Sequence, residues 1–273
     1  MAPTTARQKD SGAAFFDQRA EDYNREYADQ TAGGYALRIR REKVLRLFDQ
    51  SGGKVLDVGC GPGAMAQQLV NRGCTFWGVD PAAKMLEICR RRFSTDRRAQ
   101  FLQGDAARLA LPTGFFDAVL CMGVIDGLPD RRQAVCEMLR VLRPGGTLII
   151  TFTNFWSPYS WWKKYVFYPA VGLYQRLRDT GRPSGRRFAS VPAAKQRALF
   201  SKSATRELLE SEGGEVVQII GYYFNIFLSP LDEIFPALAL RTTRTIEESR
   251  WPKPEWIASG WIVKVKKRDR VDA

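Results

Sequence analysis

The chain of 273 residues contains no histidine. Histidine is the most frequent general base in enzymes and a common zinc ligand, so its absence excludes Ser-His-Asp and Cys-His catalytic groups and histidine-containing zinc sites. None of the five cysteines belongs to a CxxC pair, which favours reduced thiols in a cytoplasmic protein. We therefore expect no metal site, and a reaction in which any general base is a carboxylate or a tyrosine.

Long apolar runs are also missing. The first residues, "MAPTTARQKD", lack the apolar region of a signal peptide, and no stretch reaches the roughly 18 apolar residues of a membrane-spanning helix. Hydrophobic residues nevertheless make up 45% of the chain, as in ordinary globular proteins. The length fits one large domain with insertions, and we expect a cytoplasmic location.

The net charge is +13, because 42 lysines and arginines outnumber 29 acidic residues. The basic residues are clustered, for example in "RIRREK" at 38–43 and "KVKKRDR" at 264–270. Such clusters are often solvated helix faces. They also suit an anionic substrate, an acidic membrane surface or nucleic acid, and composition alone leaves these alternatives open.

From Lys54 onward, short apolar segments alternate with amphipathic ones, which predicts a parallel sheet with helices on both faces. The final segment alternates Trp261, Val263 and Val265 with lysines and predicts an antiparallel strand at a sheet edge. We thus expect an α/β, doubly wound, mostly parallel seven-stranded sheet with an antiparallel last strand and a helical, aromatic cap. The expected units are a helical N-terminal lid at 1–50, a core at 51–154, an aromatic insertion at 155–200, and a C-terminal part at 201–273 with an insertion at 228–258.

Three aspartates stand at the carboxyl ends of predicted strands: Asp57, Asp80 and Asp105. In open α/β sheets, ligands bind outside these strand ends, at the point where the strand order reverses. The sequence therefore predicts one ligand site that contains all three carboxylates.

A glycine-rich loop, "GCGPGA" at 59–64, follows the first of these aspartates. It matches the GxGxxA loop of dinucleotide sites, which also carry an acid about twenty residues later. It equally matches DxGxGxG when read from Asp57. A pyrophosphate over this loop would face the charge of Asp57, whereas a ligand with an ammonium and a sulfonium group would be attracted to it.

Several segments in order, between about residues 50 and 154, resemble the class I, Rossmann-like S-adenosylmethionine-dependent methyltransferases of the small-molecule type. These are "VLDVGCGPG", "GVDPAAKMLEICRRR", "FLQGDAARLALPTGFFDAVLCMGVIDGLPD" and "EMLRVLRPGGTLIITF". The resemblance implies S-adenosylmethionine as cofactor and S-adenosylhomocysteine as product.

The resemblance also implies how the glycine loop binds the cofactor. Asp57 would contact the ammonium group of the cofactor through water; the alternative is a helix-cap partner. Gly59, Gly61 and Gly63 would let the cofactor approach the backbone. Tyr23 would close over the site, although simple packing explains it equally well.

Further along the chain, Asp80 would accept hydrogen bonds from both ribose hydroxyls; the alternative is an N-cap for the helix that begins near Pro81. Met85 would pack on adenine or belong only to the core. Asp105 would accept from the adenine amino group or serve as a turn residue. The remaining implied contacts are Ala106, beside Asp105, and the backbone of Met122 and Gly123 for the methionine portion.

On the acceptor side, Asp126 is the first candidate for a catalytic base, and a loop or cap acid is the alternative. The aromatic insertion follows the fifth strand and can cover the cofactor cleft. Aromatic rings among lysines suit a flat or greasy substrate with an anionic group, or a segment resting on acidic lipid; a cap with its own small core is the alternative. We expect four of its residues to bind substrate: Trp156, Tyr159, Trp162 and Tyr165.

A nucleic-acid substrate is not favoured. Amino-methylating DNA and RNA enzymes usually carry an Asn/Asp-Pro-Pro-aromatic run after the fourth strand, where this chain reads "CMGVID". Cys121 follows a leucine, so we interpret it as strand-end lining and not as a nucleophile. The prediction is methyl transfer to a small, aromatic or lipid-like acceptor. The alternatives are an RNA or protein methyltransferase and a non-catalytic protein that binds a nucleotide cofactor.

Overall fold

The computed structural model describes residues 12–178, 198–225 and 231–269. Within them, seven strands form one sheet in the order β3-β2-β1-β4-β5-β7-β6. The strands are β1 (Lys54–Val58), β2 (Thr75–Asp80), β3 (Ala99–Gln103), β4 (Phe116–Cys121), β5 (Leu142–Thr153), β6 (Gly214–Tyr222) and β7 (Gly260–Lys267).

Strands β1 to β5 are parallel, and β7 is antiparallel to both of its neighbours, β5 and β6. The predicted fold class is confirmed, but the predicted edge position of β7 is wrong. The sheet edges are β3 and β6, and β7 lies inside the sheet. Its lysines reach local partners, since Lys264 donates to Asp49 and Lys266 to the carbonyl of Gly145. The alternation of apolar residues with lysines in β7 therefore does not mark a free sheet edge, because the strand is paired on both sides and these lysines contact neighbouring residues.

Helices cover both faces of the sheet, as expected for crossovers between parallel strands. One core layer joins the sheet to Arg131–Val141 through residues such as Met138, and the other joins it to Ala32–Leu47 through residues such as Val44. None of the described helices has both the length and the apolar composition needed to span a bilayer. The helices are 12–18, Ala20–Glu26, Ala32–Leu47, Ala66–Asn71, Ala83–Arg92, Arg131–Val141, Pro158–Trp162, Tyr168–Arg178, Lys202–Ser211, Leu231–Ile234 and Pro236–Glu248, with 3-10 turns at Ile125–Gly127 and Glu255–Ile257 and a π turn at Lys163–Phe167.

The strand order reverses at β1, which lies between β2 and β4. The crevice outside the carboxyl ends of these strands is therefore the place where the topology predicts a ligand. Asp57 and Asp80 are at the ends of the adjacent β1 and β2, so the reversal point brings the two carboxylates to one edge.

The predicted division into lid, core, cap and C-terminal part stays a prediction. Portions of these units at 1–11, 179–197, 226–230 and 270–273 lie outside the described residues. The N-terminal and C-terminal parts are joined by a buried ion pair between Lys43 and Glu247. Lys43 also donates to the carbonyl of Gly221 at 3.0 Å, and Glu247 accepts from the backbone N–H of Phe224 at 3.2 Å.

We expect Lys43→Met to destabilise the fold by roughly 3 kcal/mol or more, because it leaves the carboxylate of Glu247, only 1% exposed, without its cation. The matched control is Lys264→Met, which removes an ion pair to the exposed Asp49 and should cost less than about 1 kcal/mol. Urea unfolding of both variants measures the difference. Equal, small losses would show that the buried pair contributes no more than a surface pair.

Candidate functional site

The glycine loop after β1 has a backbone that only glycine adopts without strain. Gly59, Gly61 and Gly63 have φ angles of 73°, 51° and 74°, in the left-handed region. A side chain on Gly59 would overlap Val124, and one on Gly63 would meet the Cys89 sulfur at 3.0 Å. Two of the three glycines are therefore required by the protein's own packing as well as by its backbone geometry.

The loop is held against the end of β2 by hydrogen bonds. The N–H groups of Gly59 and Cys60 both donate to the carbonyl of Val79, at 2.7 and 3.2 Å. Asp80 completes the attachment, since one carboxylate oxygen accepts from Gly61 N–H and the other from Ala82 N–H, both at 2.9 Å. The side chain of Asp80 thus fixes both the glycine loop and the start of the helix Ala83–Arg92.

Asp80 thus contacts the residue before the helix Ala83–Arg92, but the N-cap of this helix is Ala82, so Asp80 is not the N-cap that the alternative predicted. Each carboxylate oxygen can accept a second hydrogen bond, so these contacts also leave capacity for two ribose hydroxyls. Burial raises the pKa of Asp80, while the N–H groups of Ala82 and Gly61 act in the opposite direction. Its ribose role stays a prediction.

Asp57, the penultimate residue of β1, is 1% exposed, and both of its carboxylate oxygens are buried without a hydrogen-bond partner. Burial and the nearby charge of Asp80 raise the pKa of Asp57 to about 7, and Arg40 partly opposes the shift. A buried polar group without a partner is costly, so this carboxylate calls for a ligand that brings donors and positive charge.

Arg40 is a site residue that the sequence analysis missed. Its guanidinium lies against Gly123, where an added Cβ would meet Nη1 at 2.5 Å. Burial lowers the pKa of Arg40, but the phenol groups of Tyr222, Tyr23 and Tyr27 outweigh this and raise it overall. The sequence places Arg40 in the basic cluster at 38–43, for which a solvated helix face and an anion-binding role were both left open. The available signal was its spacing, since it lies three residues after Leu37 and four before Val44, on the apolar side of its helix.

Tyr23 and Met85, the residues implied to close the site and to pack on adenine, differ in their surroundings. Tyr23 lies over the loop, 3.8 Å from the position of a Cβ on Gly61, and its ring packs on those of Phe16 and Tyr27. Met85 is fully buried in a small cluster with Ala20, which agrees with the core alternative. The cofactor roles of Tyr23 and Met85 stay predictions.

The segments after β3 and β4 also reach this edge. One oxygen of Asp105 accepts from the N–H of Ala107 at 2.9 Å, as a turn residue does, and Ala106 beside it is buried. The N–H of Gly123 donates to the hydroxyl of Thr151 at 2.8 Å, so the backbone donor predicted for the methionine portion already has a protein partner. Met122 packs against the core.

Asp126 lies in the 3-10 turn after β4 and is buried. Its two oxygens accept from the N–H and the hydroxyl of Thr153, at 3.1 and 2.5 Å. These contacts tie the turn to the end of β5, which is the loop-acid alternative. Its role as a base stays a prediction.

The four predicted substrate residues divide into two groups. Trp156 and Trp162 line an open cavity of about 340 Å³ together with Phe155, Pro158 and Trp161. Tyr159 points elsewhere and donates to Asp232 at 3.1 Å. Tyr165 is exposed and packs on Trp161. The first group offers an aromatic recess, while the second helps to build the cap.

The expected absence of a metal stays a prediction. In the part of the chain that the structure describes, no group of three or more cysteine, aspartate or glutamate side chains is placed to hold a metal ion. Cys121, which we predicted to line a strand end, is fully buried in the core, and burial raises the pKa of its thiol.

Comparison with known proteins decides the family. A family model described as a methyltransferase domain matches residues 56–150. A ubiquinone/menaquinone biosynthesis C-methyltransferase from Nitrosospira multiformis is 31% identical over 226 residues, covering 78% of this chain and 86% of that protein. The chain belongs to the S-adenosylmethionine-dependent methyltransferases.

Two other comparisons bound what this methyltransferase shares with its relatives. A ubiquinone biosynthesis O-methyltransferase from Xanthomonas oryzae pv. oryzae is 31% identical over 121 residues, which is 42% of this chain; the chain spans about half of that relative, 49% of its length. An S-adenosylmethionine-dependent methyltransferase from Thermotoga maritima has a TM-score of 0.62 at 21% identity, covering 93% of this chain and 99% of that chain. At this identity the likeness shows the common fold.

The residues of the methyltransferase fit the family's cofactor. Its amino-acid portion carries an ammonium and a carboxylate, and the crevice offers the unpartnered carboxylate of Asp57 and the guanidinium of Arg40. The loop at 59–63, with glycine at three alternate positions, lies between Asp57 and Asp80. Opposite charges on the protein thus match the two charges of the ligand.

We expect Asp57→Asn to stabilise the cofactor-free protein at pH 8 by up to about 4 kcal/mol, with the gain shrinking towards pH 4. The sign follows from the raised pKa of Asp57, about 7 in the folded chain, because the folded protein then binds more protons than the unfolded one between about pH 4 and pH 7 and loses stability as pH rises. The same change should weaken S-adenosylmethionine binding about ten-fold or more. Thermal unfolding at both pH values and calorimetry measure the two effects.

The control is Asp117→Asn, at the other end of the sheet. Burial raises the pKa of Asp117, but Lys54 N–H and Arg143 outweigh it and hold the pKa below its usual value, so this variant should lose stability at neutral pH. If Asp57→Asn also destabilised the cofactor-free protein at pH 8, the carboxylate of Asp57 would have partners and the inferred cation site would be wrong.

Proposed function

We propose that the chain transfers the methyl group of S-adenosylmethionine to a small, aromatic or lipid-like acceptor. The observation that carries the cofactor half of this proposal is Asp57, a fully buried carboxylate without a hydrogen-bond partner, beside a loop with glycine at three alternate positions. The acceptor half is supported by the aromatic segment that follows β5 and by the open recess lined by Trp156 and Trp162.

S-adenosylmethionine, when bound, supplies an activated methyl group, so the protein's part is to hold the reactants in line and to exclude water. Asp57 and Arg40 would hold the ammonium and carboxylate of the amino-acid portion, and Asp80 would hold the ribose. Tyr23, above Gly61, would close the crevice. Alignment of this kind is worth up to about 7–11 kcal/mol of the barrier.

The chain offers few candidates for a proton acceptor. It has no histidine, Asp126 is bound to Thr153, and burial with the neighbouring Tyr23 raises the pKa of Tyr27 above its ordinary value. A phenol with a raised pKa stays protonated at neutral pH and so is not available to accept a proton. This arrangement favours an acceptor whose own acidity makes it nucleophilic, such as a phenol or a hydroquinone.

The relatives support the same class of acceptor. The Nitrosospira protein is named as a C-methyltransferase and the Xanthomonas protein as an O-methyltransferase, both of quinone biosynthesis. For this chain we propose a prenylated phenol or hydroquinone as the acceptor class to test first. The recess of about 340 Å³ is within the size range of small-molecule pockets.

The direct test incubates the purified chain with S-adenosylmethionine labelled in the methyl group. Prenylated hydroquinones, bulk RNA and a protein extract are offered in separate reactions, and the expected result is label in the hydroquinone fraction. Label in RNA or protein alone would replace the proposed acceptor with a macromolecule. Cofactor binding without label in any fraction would favour a binding protein without catalysis.

A second prediction concerns the recess. Trp156→Ala combined with Trp162→Ala should lower kcat/KM for the acceptor about ten-fold or more, because aromatic contact area is lost, while S-adenosylhomocysteine affinity changes less than about two-fold. Val217→Ala, an exposed apolar residue on β6, is the control. Unchanged turnover in the double variant would mean that the acceptor is bound elsewhere.

A third prediction is that methyl transfer needs no divalent metal. The chain has no histidine, and its strand-end aspartates are engaged with backbone N–H groups or buried singly. Initial rates should be the same with and without EDTA. A rate that falls in EDTA and recovers with Mg²⁺ would contradict this.

A further inference from the structure

The exposed apolar side chains of this protein are concentrated in two segments. Among the described residues, the large apolar side chains left exposed lie at 155–174 and 231–256, apart from Leu102 and Val217. Trp156 is 63% exposed, Trp161 50% and Trp256 56%. Monomeric proteins rarely leave a large contiguous apolar patch in water. We call the exposed apolar side chains of these two segments the aromatic face.

Buried hydrogen bonds hold the two segments together. The side chain of Asn154, which is fully buried, accepts from Trp156 N–H at 2.9 Å and donates to the carbonyls of Ala258 at 2.7 Å and Trp256 at 3.3 Å. A single amide therefore fixes the backbones of two exposed tryptophans side by side.

A second connection joins the aromatic insertion to the helix Leu231–Ile234. The hydroxyl of Tyr159 donates to Asp232, and Lys163 lies 3.8 Å from the same carboxylate. Asp232 faces inward and is buried, whereas Leu231 and Ile234 on the same helix are exposed. The polar contacts between the aromatic insertion and this helix are therefore buried, and the apolar side chains of the helix are exposed to solvent.

Basic residues outnumber acidic ones over the two segments that carry the aromatic face, eight to five. Residues 155–178 contain two lysines and two arginines but no aspartate or glutamate. The second segment, 231–256, contains four basic and five acidic residues. Four of its acids, Asp232, Glu247, Glu248 and Glu255, are held in ion pairs, while Arg241 and Arg250 are exposed. Leu238 and Arg241 are three residues apart on one helix, so a cation stands beside an exposed apolar side chain.

We propose that the aromatic face docks this protein onto a lipid surface that carries anionic headgroups. Tryptophan and tyrosine suit the boundary between acyl chains and water, and nearby arginines and lysines are attracted to anionic lipid. A second copy of the chain is a poorer occupant, because a symmetric contact would place the exposed Arg241 and Arg250 of both copies together, while four of the five acids of the second segment are already held in ion pairs. This proposal goes beyond methyl transfer and does not depend on the acceptor.

The aromatic face lies at the same end of the sheet as the glycine loop. The aromatic insertion follows the carboxyl end of β5, and β6, which leads to the second segment, runs parallel to β5. Both segments therefore leave the sheet at the edge that carries the glycine loop. Docking would bring this edge, and not the opposite one, next to the lipid.

The test measures partition of the purified chain onto vesicles by sedimentation and by tryptophan fluorescence. The chain should bind vesicles of equimolar phosphatidylcholine and phosphatidylglycerol, bind phosphatidylcholine alone weakly, and dissociate as salt is raised. Trp161→Ser combined with Trp256→Ser should lower the partition coefficient at least about ten-fold. Arg241→Gln and Arg250→Gln should each lower it about five-fold.

The matched control is Leu102→Ser combined with Val217→Ser, which removes exposed apolar side chains outside the aromatic face and should leave partition unchanged. Circular dichroism and thermal unfolding check that each variant folds. Partition that is absent, equal on neutral vesicles, or lowered equally by the control overturns the proposal. So does a dimer in sedimentation velocity that the tryptophan variant dissociates while the parent chain shows no vesicle binding.

Discussion

The site depends on the two hydrogen bonds that the carboxylate of Asp80 accepts. One comes from the glycine loop, through Gly61, and the other from the start of the next helix, through Ala82. Because the loop belongs to β1 and the helix follows β2, this side chain fixes two adjacent crossovers relative to each other. The positive φ angles of the loop are maintained by these contacts and by the carbonyl of Val79.

Two buried charged residues, Asp57 and Arg40, lie near this fixed loop. Asp57 is buried without a partner, and its pKa is raised by burial and by Asp80, so the cofactor-free site holds a charge in an unfavourable place. Arg40 offsets part of this cost. A ligand that carries both an ammonium and a carboxylate group has the charges that complement these two residues.

The outer parts of the chain connect to this edge through buried polar contacts. Lys43 and Glu247 join the N-terminal helix to the C-terminal insertion, and Asn154 joins the aromatic insertion to the turn that contains Trp256. Segments far apart in sequence thereby form one surface around the carboxyl ends of the strands. The family's fold supplies the crevice at these strand ends, and the outer segments lie around it.

Local sequence by itself determined the βα alternation, the parallel strands, the glycine loop and the aspartates at the strand ends, because periodicity and backbone conformation are properties of short segments. It did not determine the neighbours of those segments. The alternating pattern of β7 was compatible with an edge strand or with an interior strand, and only its pairing with β6 placed it inside the sheet. Local sequence left open whether Arg40 is solvated and whether Asp126 is a base or a loop acid, and the tertiary structure set one beside Gly123 and the other against Thr153. Burial and electrostatics depend on residues that are distant in the chain, and those contacts exist only once the sheet and its helices have packed.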